Sequence, residues 1–234
     1  MINITNEDNM LLMARYEDNY FDLAIIDPPY GIGMDKNPCG RLSKYGSVGL
    51  ADNNPPTKKY FNELFRVSKN QVIWGGNYFI EYLYNTRCFL IWDKQQPESV
   101  SFASSELAWT SFNTSVKTFY KRPQNADNIR IHPTQKPVKL YEWLLMNYAT
   151  CKTCNNEGGY YEDVAGDGGS QMWQHCDDCD GETVKILDTH LGSGSIALAC
   201  HNLGFDLTAC ELDKDYYIAA CKRLKEHQQQ LTMF

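Results

Sequence analysis

The chain has 234 residues and a mass of 26.9 kDa, which suits one full domain with at most a small appendage. Hydrophobic residues make up 43% and charged residues 22%, a balance that excludes a largely disordered chain. The formal net charge of −7 argues, taken alone, against a nucleic-acid binder.

The charge is unevenly distributed along the chain. Residues 31–140 hold 15 Lys and Arg against eight Asp and Glu, whereas the rest of the chain holds seven against 21. A basic middle segment therefore lies within an acidic protein. That pattern suits a polyanionic partner better than the average charge does.

The hydrophobic pattern predicts strands that alternate with helices. In chain order we expect a short helix over residues 9–16, buried strands over 21–27, 71–74 and 88–92, antiparallel edge strands over 106–112 and 115–120, a helix over 138–149, a strand over 184–188, a helix over 195–203, a strand over 206–211 and a final helix over 213–227. Asn77 is expected to cap a further helix after the second strand. This order implies a mostly parallel, doubly wound α/β sheet. Residues 150–183 break the pattern, and we interpret them as an insertion.

The cellular context follows from what the sequence lacks. No apolar run reaches the roughly 18 residues of a membrane span, and Met1–Ile4 lacks the basic and apolar parts of a signal peptide. We therefore expect a cytoplasmic, reducing environment in which the nine cysteines do not form disulfides. Five scattered cysteines are interpreted as small buried hydrophobic residues: Cys39, Cys88, Cys200, Cys210 and Cys221.

A glycine-rich turn, Asp188–Ser195, follows one predicted strand and opens the next helix. Glycines permit close backbone approach, and the N–H groups at a helix start are donors for a polar ligand. Glu211 ends the next strand, 19 residues after Gly192, where a carboxylate can accept both hydroxyls of a ribose. The pattern predicts a site for a nucleoside-containing cofactor. Ile196-Ala197 departs from the dinucleotide-binding motif and favours a cofactor without a pyrophosphate.

A second motif, Asp27-Pro28-Pro29-Tyr30, directly follows a buried strand. The two prolines cannot continue the sheet, so they hold a rigid corner at its carboxyl edge. Asp27 and the Pro28 carbonyl can accept the two N–H groups of an exocyclic amine, and Tyr30 can stack on its ring. The motif therefore has the parts needed to bind a planar amine.

These motifs in this order resemble the amino-group DNA methyltransferases that use S-adenosylmethionine, over nearly the whole chain. The order matches the permuted β group, in which the catalytic motif comes first, a recognition region follows and the cofactor motifs come last. The resemblance implies a Rossmann-like methyltransferase sheet. An Asp at position 27 is typical of adenine N6 enzymes, whereas Ser is commoner for cytosine N4. Trp74–Phe79 and Ile131–Tyr141 are similar to phage and prophage methylases, which suggests a phage or restriction–modification setting in a bacterial or phage-infected cell.

The resemblance also assigns roles to individual residues. It implies that the catalytic residues are Asp27, Pro28, Pro29 and Tyr30. It implies that the cofactor is held by Asp8, Asp27, Thr134, Gln135, Lys136, Asp188, Leu191, Gly192, Ser193, Gly194, Ser195, Glu211 and Leu212. Two motifs depart from the family: Thr189-His190 replaces Pro-Phe, and Asn6-Glu7-Asp8 replaces Asn-Gly-Asp.

The expected reaction is direct methyl transfer to the N6 amine of an adenine flipped out of the duplex, with no covalent intermediate. Other acceptors stay open, namely cytosine N4, RNA or a protein amide, as does a non-catalytic DNA or sliding-clamp adaptor with the same fold.

We expect double-stranded DNA to contact basic residues of the middle segment. Lys59 and Lys117 are further candidates for these contacts. The principal candidates are Lys36, Arg41, Lys44, Lys58, Lys121, Arg122 and Arg130.

The predicted insertion carries two Cys-x-x-Cys pairs separated by 21 residues, the spacing of a four-thiolate zinc site. The expected metal ligands are Cys151, Cys154, Cys176 and Cys179. Residues 151–183 hold one Lys against eight Asp and Glu, so phosphates should repel this module. We therefore expect a structural zinc, and a protein rather than DNA as any partner of the module.

The chain is accordingly divided into four parts. Residues 1–149 form the catalytic and DNA-recognition part, 150–183 the zinc insertion, 184–229 the cofactor-binding part and 230–234 a C-terminal tail. The tail, Gln-Leu-Thr-Met-Phe, resembles the peptide by which bacterial proteins dock on the replicative sliding clamp. A frayed or packed tail is the alternative, and a homodimer also stays open.

Overall fold

A computed structural model of the chain describes residues 1–32, 54–97, 103–123, 131–132, 134–151, 159–163, 171–177 and 183–231. The elements in these ranges are, in chain order, β1 (Ile2–Thr5), α1 (Asn9–Met13), β2 (Phe21–Ile26), α2 (Lys58–Val67), β3 (Ser68–Trp74), β4 (Phe89–Asp93), β5 (Ser105–Thr110), β6 (Lys117–Tyr120), α3 (Val138–Tyr148), β7 (Gly159–Asp163), β8 (Gln171–His175), β9 (Lys185–Asp188), α4 (Ser195–Leu203), β10 (Asp206–Cys210) and α5 (Lys214–Leu231).

Eight of these strands form one mixed sheet in the order β1-β10-β9-β2-β3-β5-β4-β6. The five strands from β1 to β3 are mutually parallel, β5 is antiparallel to both of its neighbours, and β6 is parallel to β4. The parallel part confirms the expected α/β class. Its strands are short apolar runs because helices cover both of their faces.

Side chains that alternate along β2 face two separate cores. Leu23 and Ile25 pack with α3, α4 and α5, whereas Ala24 and Ile26 pack with α1 and α2. The period of two in a strand therefore produces three layers, with the sheet in the middle. Within the described ranges, no helix is both long and apolar enough to cross a membrane.

Sequence patterns missed four elements, β1, α2, β7 and β8, of which β7 and β8 lie in the predicted insertion. β1 is only four residues long and lies at the edge of the sheet. α2 does carry a helical pattern, since Tyr60, Phe61, Leu64 and Val67 are all buried on one face. It runs into β3 without a loop, so no turn residue marks its end.

Three local predictions were wrong. Residues 106–112 were expected in an edge strand, but β5 lies between β3 and β4. Residues 115–120 were expected in an antiparallel strand, but β6 pairs parallel with β4, because alternation in an edge strand indicates one exposed face and not a strand direction. The helix expected after Asn77 is replaced by two single 3-10 turns, Gly76–Tyr78 and Ile80–Tyr82. Asn77 makes no capping hydrogen bond there, and the left-handed residue Gly75 precedes the first turn instead.

Candidate active site

The Asp27-Pro28-Pro29-Tyr30 corner lies where β2 ends, at the carboxyl edge of the parallel strands. The Tyr30 hydroxyl donates a hydrogen bond of 2.7 Å to Asp27 Oδ1. Gly75, at the end of the adjacent strand β3, packs so closely that a Cβ there would lie 2.2 Å from Tyr30 Cε1. Gly75 also has a φ of +65°, so both its space and its backbone require glycine.

Lys136 brings a buried cation to this corner. Its side chain is 2% exposed, and its ammonium forms ion pairs with Asp27 Oδ2 and, at 3.1 Å, with Glu106 Oε2. It also donates to the Tyr30 hydroxyl at 3.4 Å. Burial acts to lower the pKa of Lys136, but the two carboxylates together raise that pKa above its ordinary value. Lys136 is therefore held as a cation against the carboxylate of Asp27.

The Tyr30 ring is part of an aromatic surface. Tyr78 stacks on it with ring centroids 5.1 Å apart and an angle of 22° between the rings, while Phe79 approaches edge-on at 6.3 Å. Tyr78 is 48% exposed, so this surface reaches solvent. Burial, followed by the charges of Asp27 and Glu106, raises the pKa of Tyr30 well above its ordinary value. The phenol is thus a neutral hydrogen-bond donor.

The glycine-rich turn connects β9 to α4 and is tied to the end of β10. The Gly192 N–H donates to Glu211 Oε2 at 2.8 Å, and the Asp213 N–H donates to Glu211 Oε1 at 2.9 Å. Gly192 and Gly194 both have positive φ values, of 52° and 71°. The Glu211 carboxylate therefore lies directly beside the turn. Burial raises its pKa.

Asp188 is the most perturbed acid of the site. Its side chain is buried, and Oδ1 accepts a hydrogen bond of 2.9 Å from the His190 backbone N–H. Burial raises the pKa of Asp188 from 3.8 to about 8, and the nearby negative charges of Asp27 and Glu211 act in the same direction. This carboxyl group is therefore largely neutral at pH 7, and a cation bound against it would favour its ionised form.

The two residues that depart from the family motif form a hydrogen-bonded row behind the turn. Asn9 Nδ2 lies 3.2 Å from His190 Nε2, and His190 Nδ1 lies 3.0 Å from Thr189 Oγ1. Thr189 Oγ1 lies in turn 2.5 Å from the hydroxyl of Tyr60 in α2. Burial lowers the pKa of His190 to about 4, so the imidazole is neutral. Sequence reasoning did not find Tyr60, because α2 was missed.

The segment before α3 approaches the turn through His132. Its ring lies 4.0 Å from the position of a Cβ on Gly192 and is tilted by 59° against the Tyr216 ring, with the ring centroids 4.4 Å apart. Thr134 bonds back to His132, and Gln135 is buried, with its Oε1 accepting from the Ile131 N–H at 3.0 Å.

The turn itself is closed by side chains of α4 and α5. Ser193 Oγ and Ser195 Oγ lie 3.1 Å apart, and Arg223 donates to the Ser193 carbonyl at 2.9 Å. Leu191 is buried, and its N–H bonds to the Cys210 carbonyl at 3.1 Å. Leu212 is 72% exposed.

Asp8 has a structural role in the cofactor-free chain. Its Oδ1 accepts from the backbone N–H groups of Met10 and Leu11 and so caps α1. The neighbouring Asn6 side chain donates to the carbonyls of Glu211 and Leu212, which places the end of β1 beside the predicted ribose site.

The predicted DNA and metal residues are only partly described. Lys58, Lys121 and Arg122 lie at or near the surface, whereas Lys36, Arg41, Lys44 and Arg130 fall outside the described residues. Of the four cysteines, Cys154 and Cys179 also fall outside. Cys151 Sγ and Cys176 Sγ lie 3.6 Å apart, too far for a disulfide. The described residues contain no group of three or more potential metal ligands.

Comparisons with known proteins identify the fold. No family model and no curated protein matches the chain. Among solved structures, the complex of M1.HpyAVI with S-adenosylmethionine (SAM) is 18% identical, with a TM-score of 0.57, and the match covers 96% of this chain and 99% of that one. PvuII DNA methyltransferase, specific for cytosine N4, is 11% identical, with a TM-score of 0.56, over 98% and 92% of the two chains. The chain has the fold of solved DNA methyltransferases.

A third similar structure is TTHA0409 of Thermus thermophilus, which is assigned as a DNA modification methylase. It is 14% identical, with a TM-score of 0.54, and the match covers 97% of this chain and 95% of that one. TTHA0409 has also been solved with SAM bound. The methyltransferase fold thus extends over nearly the whole of each chain, as the resemblance implied.

Proposed function

We propose that the protein is a DNA methyltransferase that moves a methyl group from SAM to the N6 amine of a flipped adenine. One observation carries the proposal. The Asp-Pro-Pro-Tyr corner and the glycine-rich turn follow β2 and β9, which are neighbouring parallel strands. Their acids are close enough that the charge of Asp27 raises the pKa of Asp188. An amine held at one motif would therefore meet a cofactor held at the other.

The residues of the second motif fit such a cofactor. Glu211 is held beside the glycine turn, where its oxygens can accept ribose hydroxyls. Asp188 is a buried acid whose ionised form requires a cation, and SAM carries both an ammonium and a sulfonium. The cofactor supplies an electrophilic methyl group. We assign its binding to the residues of the glycine turn, to Glu211, Leu212 and Asp8, and to Thr134, Gln135 and Lys136.

The residues of the first motif would prepare the amine. Asp27 and the Pro28 carbonyl would accept its N–H groups, and this directs the nitrogen lone pair at the methyl group. The aromatic surface at Tyr30 would hold the base ring. As the N–C bond forms, the C–S electron pair returns to sulfur and one amine proton is lost to solvent. Orientation and electrostatics thus account for the rate, without a covalent intermediate.

Adenine is chosen as the substrate base because an Asp at position 27 is typical of adenine N6 enzymes in the family that the chain resembles. Cytosine N4 is the second candidate, since a cytosine-N4-specific enzyme shares the fold. The deciding experiment transfers labelled methyl from SAM to genomic DNA and identifies the modified nucleoside, with Asp27→Ala as the control. Labelled N6-methyladenine supports the proposal, whereas labelled N4-methylcytosine supports the second candidate. In parallel assays, label that appears only in RNA or only in protein refutes both candidates. No label in any of the three substrates also refutes both candidates, and it favours a non-catalytic adaptor.

We further propose that residues 150–183 form a module around a structural zinc. The Cys151–Cys176 separation of 3.6 Å supports it, because two thiolates on one tetrahedral zinc lie about 3.8 Å apart. β7 and β8 pair as an antiparallel hairpin between the two Cys-x-x-Cys pairs. Metal analysis of purified protein should find one zinc per chain, which Cys151→Ser should remove. Metal-free wild-type protein would refute the module.

The remaining assignments are also proposals. The basic middle segment would contact DNA phosphates. The tail, residues 230–234, would dock on a bacterial sliding clamp, and α5 ends at Leu231 within that tail. The phage or restriction–modification setting follows the likeness of Trp74–Phe79 to phage methylases.

A further inference from the structure

A row of alternating charges leads from the end of β4 to the catalytic corner. Lys94 Nζ lies 2.7 Å from Glu106 Oε1, Glu106 Oε2 lies 3.1 Å from Lys136 Nζ, and Lys136 pairs with Asp27. All four side chains are at most 24% exposed. We propose that Glu106, in β5, is a positioning residue for methyl transfer, which acts through the Lys136 ammonium on Asp27. This inference rests on the proposed function.

The geometry around Lys136 gives Glu106 this role. A lysine ammonium is a compact charge on a flexible stem, so one ion pair does not fix its position. Here the ammonium is held between carboxylates from two different strand ends and lies over the Trp74 ring, 5.3 Å from its centroid. Glu106 thus prevents Lys136 from moving further over Asp27. The position of Lys136 in turn fixes which Asp27 lone pairs stay available to an amine.

Glu106 also adjusts the electrostatics of the transfer. The reaction moves positive charge from sulfur to the amine nitrogen, next to Asp27. A buried Lys136 without a second carboxylate would oppose that charge. Lys94 and Lys136 balance Asp27 and Glu106, so the row carries no net formal charge. The charge pattern therefore lets Asp27 face a developing cation although a lysine lies against it.

The proposal predicts different pH profiles of kcat for two variants. In the wild type Lys136 stays protonated beyond pH 10, because its two carboxylates raise its pKa above the ordinary value of 10.5. Glu106→Gln removes one of these carboxylates, so burial can lower that pKa and an alkaline limb should appear below pH 10. Lys94→Met keeps both carboxylates, so its profile should show no such limb. The groups that act on this cluster from the elements around it are Asp27 and Tyr30 after β2, Lys94 after β4, Tyr141 in α3 and Asp188 in β9.

The experiment measures methyl transfer to DNA by the full chain from pH 6 to pH 10, together with SAM affinity. Glu106→Gln should lower kcat by about 10- to 100-fold, since small misplacements at a reacting group have effects of that size. The KM for SAM should change much less than kcat, because Glu106 lies against the ammonium that pairs with Asp27 and leaves the glycine turn and Glu211 unchanged. Glu106→Asp keeps the charge and should restore part of kcat and of the pH profile.

Glu142→Gln is the matched control. Glu142 is also buried, pairs with Lys139 at 2.6 Å and accepts from Asn202 at 2.8 Å, on α3 and away from Asp27. The Glu142→Gln substitution should leave kcat and the pH profile of kcat unchanged.

Three outcomes would overturn the role of Glu106. These are wild-type kcat in Glu106→Gln, equal losses in the two glutamine variants without a change of the profile, and an alkaline limb below pH 10 in both Glu106→Gln and Lys94→Met. If Glu106→Gln does not fold, the Glu106→Asp and Lys94→Met profiles decide. A wild-type chain that methylates no DNA would instead refute the proposed function.

Discussion

Replacing Asp188 by Asn should stabilise the cofactor-free protein while weakening its cofactor site. Asp188 is 2% exposed, and burial raises its pKa from 3.8 to about 8. Its Oδ1 accepts from the His190 N–H at 2.9 Å, a bond that the Asn carbonyl oxygen can also accept. The substitution therefore removes the titration of this site and leaves its shape nearly unchanged.

The expected magnitude follows from proton linkage. Between pH 3.8 and about 8, the folded chain keeps a proton on Asp188 that the unfolded chain has released. The free energy of unfolding therefore falls as pH rises, by about 1.4 kcal/mol per pH unit for this group. At pH 7 the loss reaches at most about 4 kcal/mol. An amide is neutral throughout, so the advantage of Asp188→Asn should be near zero at pH 4, grow up to pH 8 and then level off.

Urea unfolding of both proteins without cofactor, at pH 5, 6, 7 and 8, tests this reasoning. A stability difference that does not change with pH would refute it, as would an Asn variant less stable than wild type at pH 8. Isothermal titration with SAM gives the second measurement. Wild-type affinity should rise towards pH 8 because binding requires ionised Asp188, whereas the weaker binding of the Asn variant should lack that rise.

Further predictions concern the catalytic corner, the metal and the tail. Asp27→Ala should abolish methylation and leave SAM binding intact, as measured by methyl incorporation and by titration. Gly75→Ala, which forces a Cβ into the Tyr30 ring at a positive φ, should destabilise the chain by more than about 1 kcal/mol in urea unfolding and lower kcat. Cys154→Ser should increase proteolysis within residues 150–183 without loss of DNA affinity or methylation. Deletion of residues 230–234 should remove binding to a purified sliding clamp, and full-length protein that never binds the clamp would refute that docking.

The parallel half of the fold could be predicted because its strands are buried on both faces. Residues 21–26 form an apolar run that ends at two prolines, and both features are local. β5 is different. It lies between β3 and β4 and antiparallel to both, although it follows them in the chain. No property of a single strand specifies such a partner, so its place at the sheet edge was predicted wrongly.

The motifs of the site were visible in the sequence, but the contacts between them were not. Asp27 and Lys136 are 109 positions apart, and no motif indicated that Lys136 also pairs with the catalytic carboxylate. Glu106 belongs to no recognisable motif, and its ion-pair partners Lys94 and Lys136 lie in other segments of the chain. The spacing of residues in the sequence predicts which of them share a helix or strand. It does not predict which buried charges come into contact when the helices and strands pack.

The two acids at neighbouring strand ends differ in their counter-ions, and this difference suits them to different roles. Asp27 has the Lys136 ammonium against it. Asp188 accepts a backbone N–H, and no ion pair joins it to a cation within the described ranges, so burial raises its pKa to about 8. An arriving cation would therefore be neutralised at Asp188 and not at Asp27. Asp27 would then stay available to the amine after a cationic cofactor has bound, which allows the cofactor and the base to occupy adjacent sites without competing for one carboxylate.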